Sequence, residues 1–274
     1  MAEQCRLLNK PVGRLVILRT TFRGDQKLKK KQYLDTMAIL SEHGTPDLFI
    51  TVACNLQSPE MLQAMKAGGM DNTEQFTNYR PDVVMRVFWC QFKVLFSELI
   101  FHQVLGVVRA FAYVVEFQKF GLPHVHLILV FEREFKINTP QQIDAIIRAE
   151  IPDPEKEPKL LKAMKKFMCH RPCNVVKGDT RSQRLKCHRE VPGQPGVFKC
   201  RFNYPIAYEP YTVIPDKGAV RYKRRQNGRG FIQNGRFIDN QWVSPTNPYL
   251  LVRYQMHINV QKTNHANMAK YTNK

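Results

Sequence analysis

Two histidines separated by one residue, His124 and His126, stand in the segment Gly121-Leu122-Pro123-His124-Val125-His126-Leu127-Ile128-Leu129-Val130-Phe131. The run after them is apolar and β-branched, the pattern of a buried strand. Side chains alternate across a strand, so both imidazoles face the same side. Two imidazoles side by side on a rigid strand are half of a metal site. Polar rings in an otherwise apolar strand need partners, and the competing explanation is a pair of structurally hydrogen-bonded histidines.

The other half must come from a neighbouring element. Residues 107–117 have the Val, Ala and aromatic content of a second strand, and the turn around Gly121 joins the two into a β-hairpin. Centred on Gly121, the hairpin sets Gln118 opposite His124 and Glu116 opposite His126, all on one face. A one-residue slip would send both oxygen donors to the other face. Two imidazole nitrogens with one or two oxygens suit Mg²⁺, Mn²⁺ or Zn²⁺ and leave positions open for a phosphate, whose oxygens such an ion polarises. A nucleophile is found far away: Tyr271 lies on an expected helix beside Lys270, with Lys274 three residues on and therefore on the same face. A lysine there neutralises phosphate charge or eases formation of phenolate; an ordinary tyrosine is the alternative. His257 is an outside candidate for the same site, against a strand histidine with a structural hydrogen bond.

The net charge of +19 over 274 residues supplies the substrate class. A surplus that large implies a polyanionic partner, with nucleic acid first and a merely basic soluble protein as the alternative. With 43% hydrophobic residues the chain can bury a sizeable core. No run approaches the roughly 18 apolar residues of a membrane span, and no signal peptide opens the chain. An intracellular location is expected, nuclear in a eukaryote, and the seven cysteines are then thiols or metal ligands rather than disulfides.

The elements that position these residues follow from the pattern. A basic N-terminal segment (1–45) holds a short strand at Leu15-Val16-Ile17-Leu18 and a helix over 32–43, stopped by Gly44-Thr45-Pro46. Residues 47–54 have strand length and character. Pro81 and Asp82 open a long helix with Val84, Val87, Phe88, Leu95 and Leu99 on one face. Thr139 begins a helix to about Ile147, and Asp153-Pro154-Glu155 starts another, with Leu160, Leu161, Met164, Phe167 and Met168 apolar. Composition then shifts: residues 169–240 form an irregular insertion rich in Cys, Gly and basic residues. Residues 248–260 regain apolar character as one or two strands, and Thr263 or Asn264 caps the tyrosine helix. In the insertion, Cys169, His170, Cys173, Cys187, His188 and Cys200 are zinc donors without a standard finger spacing, with reduced thiols as the alternative. Arg221, Lys223, Arg224, Arg225 and Arg229, interleaved with Tyr222, have the composition of a phosphate-tracking groove; a solvated basic loop is the other explanation.

PHVH, with EFQ six to eight residues before it, resembles the second motif of the HUH endonucleases, and the Y-x-x-K of Tyr271 and Lys274 resembles their third. More closely, the chain resembles the Rep endonuclease region of Helitron rolling-circle transposases, the helitron helicase-like domain. YLDTMAI (33–39), PDLFITVACN (46–55), RPDVVMRVF (80–88), YVVEFQKFGLPHVH (113–126), CHRPC (169–173), DNQWVSPTNPYLL (239–251) and AKYTNK (269–274) carry the likeness nearly end to end. The resemblance implies an α+β fold in which a central antiparallel sheet bears the His-x-His hairpin strand, flanked by helices. Residues 46–168 and 241–274 would form the endonuclease core, interrupted by the 169–240 insertion. It implies a metal-dependent tyrosine endonuclease on single-stranded DNA: His124 and His126 hold Mg²⁺ or Mn²⁺, Glu116 or Gln118 supplies the third ligand, and Tyr271 forms a 5′-phosphotyrosine. An inactive or domesticated DNA-binding relic, and a water-using phosphodiesterase, are the competing possibilities. The family's second tyrosine would fall just after Lys274. Its C-terminal helicase is expected in the full-length protein, and no G-x-x-x-x-G-K-[ST] loop occurs here, so no helicase activity is expected of this chain.

Overall fold

A computed structural model describes residues 26–69, 80–117, 121–171, 173, 187–216, 218–233 and 235–263. The strand expected at Leu15 to Leu18 and the tyrosine helix, with Tyr271 and Lys274, lie outside the described residues, as does Gln118.

A four-stranded antiparallel sheet forms the centre, in the order β2-β3-β1-β8, from β1 (Leu48–Ala53), β2 (Val108–Phe117), β3 (Pro123–Phe131) and β8 (Ile258–Lys262). One face is largely apolar. Ile50, Val52, Val125, Leu127, Leu129, Ile258 and Val260 belong to a single buried cluster with Phe88, Phe92, Leu95 and Leu99 of a long helix, α3 (Pro81–Ile100). Pro81 sits in the first turn of α3, where its missing N–H costs nothing. The 4-4-3-4 spacing of its buried residues is the stripe a helix needs to cover a sheet. Val87, expected on that stripe, turns instead to a satellite cluster with Met61 and Met65 of α2 (Pro59–Ala67).

The opposite face is divided. At one end α1 (Gln26–His43) lays Tyr33, Met37 and Leu40 over Phe49, Ile128 and Val130. That double coverage explains why residues 127–131 read as an unbroken apolar run. At the other end the same face carries His124 and His126, which are only half-buried.

Three expectations are corrected. The helix foreseen at Asp153 begins at Pro158 (α5, Pro158–Phe167, after α4, Pro140–Ile146). The Asp153 carboxylate instead accepts from the backbone N–H of Glu155 at 3.0 Å, closing a turn, and the second proline starts the helix. Residues 248–254 are helical (α6, Pro248–Tyr254) rather than extended, because Asn247 caps the N–H of Leu250 at 3.0 Å with Pro248 in the first turn. Helix α2 was not foreseen, although Ser58-Pro59-Glu60 is a helix start: Ser58 Oγ accepts from the N–H of Met61 at 3.3 Å.

The insertion contains two small antiparallel ladders, β4 (His188–Val191) with β5 (Gln194–Cys200), and β6 (Phe231–Gln233) with β7 (Arg236–Ile238). It is joined to the rest by buried Ile238 and Trp242 and by the pairing of Cys169 with Val243.

Candidate functional site

Register decides which side chains share the open sheet face. Glu116 pairs with His124, and His124 with Ala53, whose N–H donates to the carbonyl of His257 at 2.9 Å. The next row on that face is Val114, His126, Thr51 and Asn259. The hairpin therefore closes two residues tighter than a centre at Gly121 requires, with Phe117 opposite Pro123. A two-residue shift preserves the face, so Glu116 stays with the histidines but moves opposite His124. It still reaches His126 diagonally, Oε2 to Nε2 at 3.3 Å.

Both imidazoles are engaged through Nδ1. His126 Nδ1 lies 3.1 Å from Thr51 Oγ1, and its ring stacks on Phe49 at 5.6 Å between centroids. His124 Nδ1 lies 3.2 Å from the Leu122 carbonyl. Holding Nδ1 in this way fixes ring orientation and turns Nε2 outward, the second-sphere arrangement metal-binding histidines use. Burial lowers the pKa of His124 below the ordinary imidazole value, reinforced by His126 and opposed by the Leu122 carbonyl and Glu116. A neutral imidazole is the form that ligates a cation. His257 is also held low, by burial first and then by His124, and its Nδ1 is buried without a hydrogen-bond partner. Imidazole and carboxylate are donor types a divalent cation takes; of these three side chains, Glu116 and His126 are in direct contact.

The basic residues at 221–229 of the insertion divide into one buried side chain and four that are ion-paired. Arg224 is 2% exposed, and its Nη1 donates to the carbonyls of Val243 (2.6 Å), Asn240 (2.7 Å) and Ala149 (3.2 Å). It is a structural cross-link between the insertion and the segments on either side, and the expectation that it contacts DNA is corrected. The others are ion-paired: Arg221 with Glu209 (2.7 Å), Lys223 with Asp144 (2.8 Å), Arg225 with Glu150 (2.6 Å) and Arg229 with Asp153 (2.8 Å). Burial opposes ionisation of Glu150, but the hydrogen bonds and charge of Arg225 outweigh it and hold the carboxyl below its usual range. The sequence could not show this, because the acid partners stand 12 to 79 residues away along the chain, beyond the reach of local spacing.

The cysteines sort themselves. Ligand atoms of His170, Cys173, Cys187 and Cys200 all lie within 4.8 Å of one another. Cys169 is outside that group; it packs at the junction of two apolar clusters, and burial raises its thiol pKa to about 12.

Residues 3–129 match the family model of the Helitron helicase-like domain at the N-terminus. This stretch is a Helitron-related region. It takes in Glu116, Gln118, His124 and His126 and ends within β3. No curated protein matches the chain.

Proposed function

We propose that the chain is a metal-dependent tyrosine endonuclease that nicks single-stranded DNA, as in rolling-circle transposition. The observation that carries the proposal is the placement of Glu116, His124 and His126 on the open end of one sheet face, with Glu116 in contact with His126, inside the Helitron-related region. Glu116, His124 and His126 would hold one divalent cation. When bound, it supplies Lewis acidity to the phosphoryl oxygens of the scissile phosphate. Thr51 and the Leu122 carbonyl keep the two rings oriented, so little reorganisation is needed when ligands bind. Glu116, already 3.3 Å from His126, is favoured over Gln118 as the third ligand.

Tyr271 is the proposed nucleophile. Its phenolic oxygen forms the bond to phosphorus as the bond from phosphorus to the 3′-oxygen breaks. The phenol loses its proton and the departing 3′-oxygen gains one, leaving a 5′-phosphotyrosine and a free 3′-hydroxyl. The covalent step conserves the phosphodiester energy for later strand joining. Lys274, on the tyrosine's expected helix face, would offset phosphate charge. The net charge of +19 suits a polyanionic strand.

The test is a labelled single-stranded oligonucleotide incubated with the protein and Mn²⁺. A covalent adduct that disappears in Tyr271→Phe supports the proposal. Cleavage without adduct, persisting in Tyr271→Phe, would sink the tyrosine mechanism in favour of hydrolysis by water.

A further inference from the structure

The His170, Cys173, Cys187 and Cys200 cluster belongs to neither the sheet face nor the matched region. Its four donors come from three separated places: the segment after α5, the residue before β4, and the end of β5. Chain folding has to bring them together, since Cys173 and Cys187 are 14 positions apart and Cys187 and Cys200 are 13 apart. We propose that these four side chains hold one structural Zn²⁺, which ties the start of the insertion to its first ladder.

The spacing of the donor atoms suits a four-coordinate site. Zinc bonds of about 2.3 Å to sulfur and 2.0–2.1 Å to nitrogen set a sulfur-to-nitrogen edge of about 3.6 Å and a sulfur-to-sulfur edge of about 3.8 Å. The observed separation of Cys200 Sγ and His170 Nε2 is 3.6 Å, and no pair exceeds 4.8 Å. His170 is held for the purpose. Its backbone N–H donates to the Trp242 carbonyl at 2.8 Å, and its ring stacks on Tyr204 at 4.3 Å with a 10° tilt. Nε2 is thereby aimed at the thiols rather than at solvent. Cys173 and Cys200 are buried, and Ile238 and Trp242 wall the group. Three thiols gathered with an imidazole form a closed Cys₃His set, a standard structural zinc environment. The ion's contribution is to folding, because the donors form a site only once the insertion has folded.

The site lies apart from the nicking chemistry, so its test is separate. The full 274-residue chain, purified without chelator and dialysed against metal-free buffer, is assayed for zinc and, after exchange, for cobalt absorption. About one zinc per chain is expected, with the intense visible bands of tetrahedral cobalt and thiolate charge transfer in the near ultraviolet. Zinc is lost in Cys187→Ser and Cys200→Ser but restored in Cys200→His, which keeps a donor in place. It stays in Cys169→Ser and in the His124→Ala/His126→Ala double variant. Zinc absent from the wild type, zinc retained in Cys187→Ser, or zinc lost with the His124/His126 pair would each overturn the proposal. So would a disulfide joining two of the three cysteines in protein alkylated at lysis.

Discussion

Replacing Arg224 with alanine gives the sharpest separation of a structural from a nucleic-acid-binding role. Its Nη1 carries two protons and faces three carbonyls, so the 2.6 and 2.7 Å bonds to Val243 and Asn240 are well made and the 3.2 Å bond to Ala149 is shared. Hydrogen bonds to a charged donor contribute about 1.5–3 kcal/mol each. Two of them give roughly 3–6 kcal/mol, from which the burial of the guanidinium subtracts; that burial also lowers its pKa. Truncation leaves the carbonyls unpaired and a cavity behind, so the expected loss is about 3–4 kcal/mol. For a chain of this size that corresponds to a fall in Tm of about 10 °C. Arg221→Ala, which breaks an exposed pair with Glu209, should shift Tm by no more than about 2 °C. Differential scanning calorimetry of both variants, with DNA affinity measured at a temperature where each is folded, separates the roles. A drop in DNA affinity for Arg224→Ala with unchanged Tm would refute the reasoning.

Three further outcomes follow from the same geometry. Thr51→Val removes the hydrogen bond to His126 Nδ1 and should weaken divalent-metal affinity about 10–100-fold with little change in Tm, measured by metal competition and nicking rate. Asp47 is buried, accepting from the Phe131 N–H at 2.8 Å and Lys136 Nζ at 2.7 Å with Lys262 Nζ at 3.5 Å; Asp47→Ala strands those charges and should cost about 3–5 kcal/mol in urea unfolding. Burial depresses the pKa of His124 and His257, so the unfolded chain binds more protons than the folded one below pH 6.5. Their contribution is complete above pH 6.5 and is lost as pH falls from there through the depressed values, so Tm should decline from pH 7 to pH 5, and His257→Leu should flatten that decline.

Parity and periodicity made much of the centre legible. The alternation in residues 107–131 set Glu116, His124 and His126 on one face, and the stripe from Val84 to Leu99 marked the covering helix. Periodicity of two fixes the face but not the register, and the ladder closing at Phe117 and Pro123 moved Glu116 from His126 to His124. The helix at Pro248 was hidden because Tyr-Leu-Leu-Val has strand composition, while the deciding feature was the Asn247 cap. Within the basic run at 221–229, Arg224 misled for a physical reason. A charged side chain reads as exposed, and only tertiary structure brings Glu150 to Arg225 or three carbonyls to Arg224. The members of the His170, Cys173, Cys187 and Cys200 cluster were identifiable by type, but their sorting, with His170 in and Cys169 out, needed the packing of Trp242 and Val243.

The central claim is a nicking site built on the histidine hairpin and completed by Tyr271. Its most direct measurement is the yield of covalent protein–DNA adduct on a single-stranded substrate with Mn²⁺, for wild type, Glu116→Ala, the His124→Ala/His126→Ala pair and Tyr271→Phe. The account predicts adduct in the wild type, none in Tyr271→Phe, and loss in the Glu116 and double-histidine variants. Undiminished adduct in the double-histidine variant would contradict it.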